Sequence, residues 1–273
     1  MARALGLKDL TPAKARLCLR VESFTATLAP EGFASCPLVA AFSGGLDSTA
    51  LLLILGALAP RLNTRIVAAH LDHALRPSSF EDAAACRAFC EERGIEFVSA
   101  RRDVAALAES LGTGIEDAGR RARYAWLEEV RADLGAFAVV CAHQLDDLAE
   151  DQLMRLMRGS GWPALGGMPA WDPGRRILRP LLLTPKAELR GFLAECGASW
   201  REDETNRDQA FTRNRVRAEI LPLFVRENPD YLAAAAELWR QARIDETHWD
   251  GEVLRVLGEG FKEENGAFLP ASA

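Results

Sequence analysis

Six consecutive residues, Ser43-Gly44-Gly45-Leu46-Asp47-Ser48, are the plainest chemical signal in the chain. They follow a short apolar run, Pro37-Leu38-Val39-Ala40-Ala41-Phe42, and lead into a second one at residues 48–58. Phosphate oxygens need backbone N–H groups pointing inward with no side chain in the way. A turn between a strand and a helix N-terminus supplies both. Gly44 and Gly45 allow close backbone approach, and Ser43 and Ser48 add hydroxyl donors. Asp47 cannot face a phosphate directly, because two anions repel; a carboxylate here suits Mg2+ or the orientation of the loop. The pattern is neither GxxxxGK[ST] nor GxGxxG, so neither the Walker A loop nor the dinucleotide fingerprint applies. The expected ligand carries phosphate.

Two further polar clusters accompany the loop. Asp72-His73 follows the apolar run 65–70, and His143 to Asp147 follows the run 136–142. Asp147 and Glu150 stand at i and i+3 of a helical pattern, so they share a face, and Asp146 lies near the helix start. Paired carboxylates beside a phosphate site can hold a divalent cation, bind a cationic substrate or accept a proton. The structural alternative is a solvated acidic first turn favoured by the helix dipole. His143 and His73 each have the alternative of a satisfied core histidine. Arg120 and Arg123 project from a helix near the strand ends, where they could hold phosphate or RNA backbone, or merely form a solvated face.

The elements that must position these groups alternate regularly. Strand patterns at 37–42, 65–70, 95–99 and 136–142 alternate with helical patterns at 48–58, 81–93, 114–133 and 145–157. Gly94 serves as a C-cap for the second of these helices. The expected fold class is therefore α/β, a mostly parallel sheet with helices on both faces. Ligands in such sheets bind at the carboxyl ends of the strands, where all three polar clusters fall, so one site is expected. After Gly159 the pattern changes: Gly, Pro and Trp are dense to Gly174, a helix runs over 186–196, and a polar stretch spans 201–214. The expected organisation is an N-terminal helix or arm over 1–30, an ATP-binding catalytic domain over 31–218 and a small helical region over 219–273.

Bulk composition sets the frame. The chain has 273 residues, 49% of them hydrophobic and 26% charged, with formal net charge −6. An acidic total argues mildly against a nucleic-acid partner, yet charge is segregated: ten basic and six acidic residues lie between positions 175 and 217. Arg-rich sequence with interspersed aromatics such as Trp200 and Phe211 suits phosphates and splayed bases. The six cysteines are scattered with no CxxC pair. Cys86 and Cys90 share a helical face, and a structural role is favoured over metal binding, because closed zinc sites take four ligands. No signal peptide and no membrane-length apolar run is visible, so a cytoplasmic location is expected.

The motifs together resemble a known family. SGGLDS is similar to the loop of the PP-loop ATP pyrophosphatases, a Rossmann-like superfamily that cleaves ATP between the α- and β-phosphates. His70-Leu71-Asp72-His73-Ala74-Leu75-Arg76-Pro77, Gly119-Arg120-Arg121-Ala122-Arg123-Tyr124 and Ala142-His143-Gln144-Leu145-Asp146-Asp147-Leu148-Ala149-Glu150 resemble, in order, motifs of the tRNA(Ile)-lysidine synthetase family. Arg158-Gly159-Ser160-Gly161, Arg179-Pro180-Leu181-Leu182 and Arg213-Asn214-Arg215-Val216-Arg217 continue that order. The resemblance spans residues 38–223. It implies a ligase that adenylates C2 of the wobble cytidine of a tRNA(Ile) with a CAU anticodon and then lets free L-lysine displace AMP. On this reading Asp47, Asp147, Glu150 and His143 are catalytic. Ser43, Gly44, Gly45, Leu46, Asp47, Ser48, Asp72 and His73 bind ATP, with Mg2+ at Asp47. Asp147 and Glu150 also bind lysine, and Arg120, Arg123, Arg158, Arg213, Arg215 and Arg217 bind RNA. A homodimer is left open. The alternatives are a related tRNA thiolase and a non-catalytic RNA-binding relative. Three features depart from the family pattern: Gly119 stands in place of Ala, Asp151 in place of Thr, and Trp162-Pro163 follows RGSG. Little beyond Arg243 resembles the C-terminal domain that many members use to grip tRNA.

Overall fold

Runs of small and aliphatic residues become strands because both faces of a parallel sheet are covered and want no polar side chains. In the computed structural model, residues 5–29, 33–75, 79–201, 212–257, 261–264 and 267–270 are described. Arg76, Pro77 and most of the polar stretch, including Arg207 and Phe211, lie outside them. The chain forms two compact units that interleave in sequence. One comprises Met1–Leu145 with Pro169–Arg207, the other Asp146–Met168 with Asp208–Ala273.

The first unit holds α1 (Pro12–Leu28), β1 (Leu38–Ala41), α2 (Leu46–Leu62), β2 (Ile66–Asp72), α3 (Ser79–Glu92), β3 (Glu96–Arg101), α4 (Val104–Leu111), α5 (Ile115–Asp133), β4 (Ala138–Val140), β5 (Trp171–Asp172), β6 (Ile177–Leu178) and α7 (Lys186–Glu195). Its sheet has the order β3-β2-β1-β4-β6-β5. Every neighbouring pair is parallel except β5 with β6 at the edge. From β1 the chain winds outward through β2 to β3, then returns to place β4 on the other side of β1. The crevice of an open α/β sheet opens at such a reversal.

Alternation along the strands divides the core. On one face Leu38, Ala40, Ala68 and Leu178 pack with α2 and with Leu189 and Phe192 of α7. On the other, Val39, Ala69, Val139 and Ile177 pack with Trp126 and Leu127 of α5. α2 is buried nearly all round and ends at Asn63 in the left-handed conformation. Gly94 caps α3 with φ +65°, as its position in the sequence predicts.

The second unit is helical. It contains α6 (Leu145–Met157) from Asp146 onward, α8 (Thr212–Arg215), a π turn over Val216–Ile220, α9 (Leu221–Glu227) and α10 (Tyr231–Leu257). Ala149 and Leu153 of α6 pack with Val216, Leu221 and Ala235. Gln152 stitches the unit together, its amide donating to Gly166 O and Ala235 O at 2.9 Å each. Two strands absent from the sequence reading, β7 (Phe261–Glu264) and β8 (Ala267–Pro270), pair antiparallel. The sequence reading also lacks α4, β5 and β6. The last two strands have two residues each, too few to show a period.

Candidate active site

Residues 43–48 leave β1 at its carboxyl end and enter α2. The N-cap of α2 is Gly45, in extended conformation, with no side chain to accept the first-turn N–H groups. An anion completes such a helix end. Gly44 has φ +79°, and a Cβ there would stand 2.9 Å from Cys86 Sγ, so both backbone and space call for glycine. The two serines brace the turn: Ser43 Oγ and Ser48 Oγ are 3.0 Å apart, and Ser48 Oγ donates to Gly45 O at 3.1 Å. Arg201 fastens the loop from outside. Its N–H donates to Gly44 O at 3.0 Å, and its guanidinium pairs with Asp82 of α3 at 2.8 Å. Asp47 Oδ2 lies 3.3 Å from Lys186 Nζ at the start of α7. Lys186 and Arg201 are site residues that sequence motifs alone do not single out. Only the Lys after a Pro at a helix start hints at the first.

The carboxyl end of β2 supports the loop indirectly. His70 is buried, and its Nδ1–H donates to Phe42 O, the residue before Ser43, at 2.9 Å. Burial holds its pKa below the ordinary histidine value, so the ring is neutral and serves as a fixed strut. Asp72, an expected ATP contact, is engaged locally. Oδ1 accepts the Ala74 N–H at 2.8 Å and Oδ2 is 3.6 Å from Arg101 Nε. This steadies Ala74 at φ +55° and with it the turn carrying His73. A Cβ on Gly119 would come within 2.9 Å of His73 Nδ1, so the glycine in α5 makes room for that ring.

Beyond β4, His143 is half-buried. On α5, the Cζ atoms of Arg120 and Arg123 lie 5.0 and 5.4 Å from the Tyr124 ring centroid. Cys86 and Cys90 are core residues whose thiols burial pushes up to about 12, so neither offers a thiolate near neutral pH.

In the second unit, Asp147 and Glu150 are 7% and 1% exposed. Arg217 grips Glu150 with Nε at 2.6 Å and Nη2 at 2.9 Å, and Asp147 Oδ1 with Nη2 at 3.0 Å. Arg213 reaches Glu150 Oε2 at 3.1 Å and Asp147 Oδ1 at 3.0 Å. Burial works against the Arg213 charge, but Asp147 and Glu150 outweigh it and push its pKa up. The sequence assigns these four residues to separate tasks, amine and RNA; the fold joins them in one network of two anions and two cations. Arg215 instead donates to Thr212 Oγ1 at 3.1 Å, and Arg158 is exposed beyond the end of α6.

The PP-loop domain family matches residues 20–224. A tRNA(Ile)-lysidine synthase of Nitratidesulfovibrio vulgaris is 49% identical over 227 residues, covering 83% of this chain and 65% of that protein. One from Polaromonas naphthalenivorans is 35% identical, covering 88% of this chain and 70% of that protein. The chain spans about half the length of the curated relatives it matches. In fold it is similar to a U34-tRNA thiolase from Methanococcus maripaludis, with TM-score 0.66 at 16% identity over 84% of this chain and 78% of that one.

Proposed function

The chain belongs to the PP-loop domain family and, within it, to the tRNA(Ile)-lysidine synthases, and from that membership we propose that it ligates L-lysine to the wobble cytidine of a tRNA(Ile) with a CAU anticodon. The observation that carries the proposal is the glycine-capped N-terminus of α2, braced by Ser43 and Ser48, as a cradle for the phosphates of ATP. The cytidine O2 attacks the α-phosphorus, the α–β phosphoanhydride bond breaks and pyrophosphate leaves. The ε-nitrogen of lysine, freed of a proton, then attacks C2, and AMP departs with the oxygen. The products are lysidine, AMP and pyrophosphate.

Each residue has a task in this reading. Backbone N–H groups at 44–48 hold phosphate oxygens, and Lys186, opposite Asp47, adds a positive charge to the same loop. Asp47, whose Oδ2 lies 3.3 Å from Lys186 Nζ, is the carboxylate that would hold Mg2+ beside the substrate phosphates. When bound, Mg2+ neutralises phosphate charge. Lysine is a zwitterion with an additional ammonium. Asp147 and Glu150 suit its cationic end, and Arg213 and Arg217 suit its carboxylate, which guanidinium groups grip in pairs. Substrate thus trades places with interactions the network already makes internally. His143 accepts the proton that the ε-ammonium must lose.

The test is incorporation of radiolabelled lysine into tRNA(Ile) bearing CAU, with ATP and Mg2+. Label is expected in the tRNA, and Asp47→Ala and Glu150→Ala are each expected to abolish it. Absence of label from protein that binds ATP would overturn the proposal.

A further inference from the structure

Arg179 follows β6 directly and is 5% exposed. Its Nη1 donates to Pro169 O at 2.7 Å, while its Nε is buried without a hydrogen-bond partner. It pairs with no carboxylate among the described residues. A guanidinium taken out of water without a counter-charge is costly, so the position suits an anion.

Neighbouring residues supply more of the same charge. Val140 pairs with Leu178, which makes Cys141 and Arg179, one step on, cross-strand neighbours. Ile177 and Cys141 belong to the apolar cluster under α5, and side chains alternate along a strand, so Arg179 emerges on the α5 face. Tyr124 packs against that same cluster and carries Arg120 and Arg123 beside its ring. Arg121, between them in sequence, pairs with Asp117 at 2.7 Å; Arg120 and Arg123 make no ion pair among the described residues. Burial pushes the Cys141 thiol up, and the charges opposing that shift include Arg179, Arg123 and Arg120, which gathers the three cations around one buried atom.

We propose that Arg179, Arg123 and Arg120 form a second phosphate pocket, at the carboxyl end of β6, that holds a backbone phosphodiester of the RNA acceptor. The inference rests on the RNA reading above and adds a site to it. ATP phosphates have their own cradle at the N-terminus of α2, which packs on the opposite face of the sheet. β6 lies two strands from β1 in the sheet, roughly 10 Å away. A base adenylated at one place must have its own backbone anchored at another, and a buried arginine floor two strands along provides that anchor.

Arg179→Met keeps length and volume without charge, and Arg179→Lys keeps charge without the planar fork. Wild type and both variants would be titrated with a CAU anticodon stem-loop RNA across a salt series, titrated with ATP, and melted with and without inorganic phosphate. The Met variant is expected to bind RNA about tenfold more weakly, with a log–log salt slope shallower by roughly 0.7. The Lys variant is expected to fall between, and ATP affinity to stay within about twofold. Phosphate should raise the Tm of the wild type more than that of the Met variant. Equal RNA affinity and slope in all three proteins, or an equal response to phosphate, would overturn the pocket. Weakened ATP binding with RNA binding intact would make ATP the phosphate source and overturn the RNA assignment. A wild type that responds to phosphate through Arg179 yet binds no RNA would instead sink the RNA reading of the function, with the anion pocket left standing.

Discussion

At Gly44 two constraints coincide, the left-handed backbone and the nearness of Cys86 Sγ. They separate experimentally. Gly44→Ala is expected to abolish ATP binding in calorimetric titration and to cost about 1–2 kcal/mol from backbone conformation alone. Adding Cys86→Ala removes the steric contact but leaves φ at fault, so the double variant should recover little ATP affinity. Full recovery would show that space, not conformation, decides the position. His70 offers a second residue-scale test. Its folded pKa is depressed by burial, so the stability it contributes is complete above the unfolded value near 6.5 and is lost as pH falls below it. Denaturation midpoints should therefore drop on acidification from pH 7 toward 5. His70→Asn keeps a donor toward Phe42 O and should flatten that portion of the pH profile.

At the scale of elements, α6 presents its acidic face to arginines that arrive from α8 and the π turn, 63 to 70 residues later. Glu150 is almost wholly enclosed, so Glu150→Gln leaves Arg217 and Arg213 short of a counter-charge. A loss of about 3 kcal/mol is expected in chemical denaturation. Arg217→Gln combined with Glu150→Gln should cost less than the sum of the single changes. α5 provides a contrasting case. Gly119→Ala improves helix propensity by about 1 kcal/mol but crowds the His73 ring. The expected outcome is an unchanged or higher Tm with a raised KM for ATP. An unchanged KM would mean His73 stands apart from the nucleotide. Much of this level can be read from sequence. The apolar runs, the Gly94 cap and the i, i+3 carboxylates all depend on neighbours a few residues apart. The partners of those carboxylates cannot, because nothing local says which distant cations will close on them.

For the whole molecule, the two units divide the chemistry. The phosphate loop belongs to the first, and the Asp147–Glu150–Arg213–Arg217 network to the second. ATP at a hundredfold excess over its Kd should stabilise the protein by about 2.7 kcal/mol. Gly44→Ala is expected to abolish that gain and Glu150→Ala to leave it in place, both read as the ATP-induced change in Tm. Local pattern alone determined the glycine turn at 43–48, the alternation of the main strands and helices and the family resemblance, because turn geometry, apolar period and short motifs are written in adjacent residues. Tertiary structure decided that His70 struts Phe42, that Arg213 and Arg217 neutralise the acidic face, and that Arg179 is buried without a counter-charge among the described residues. Those outcomes depend on which surfaces exclude water together. That is settled by packing between residues far apart in the chain, and no spacing rule reaches so far.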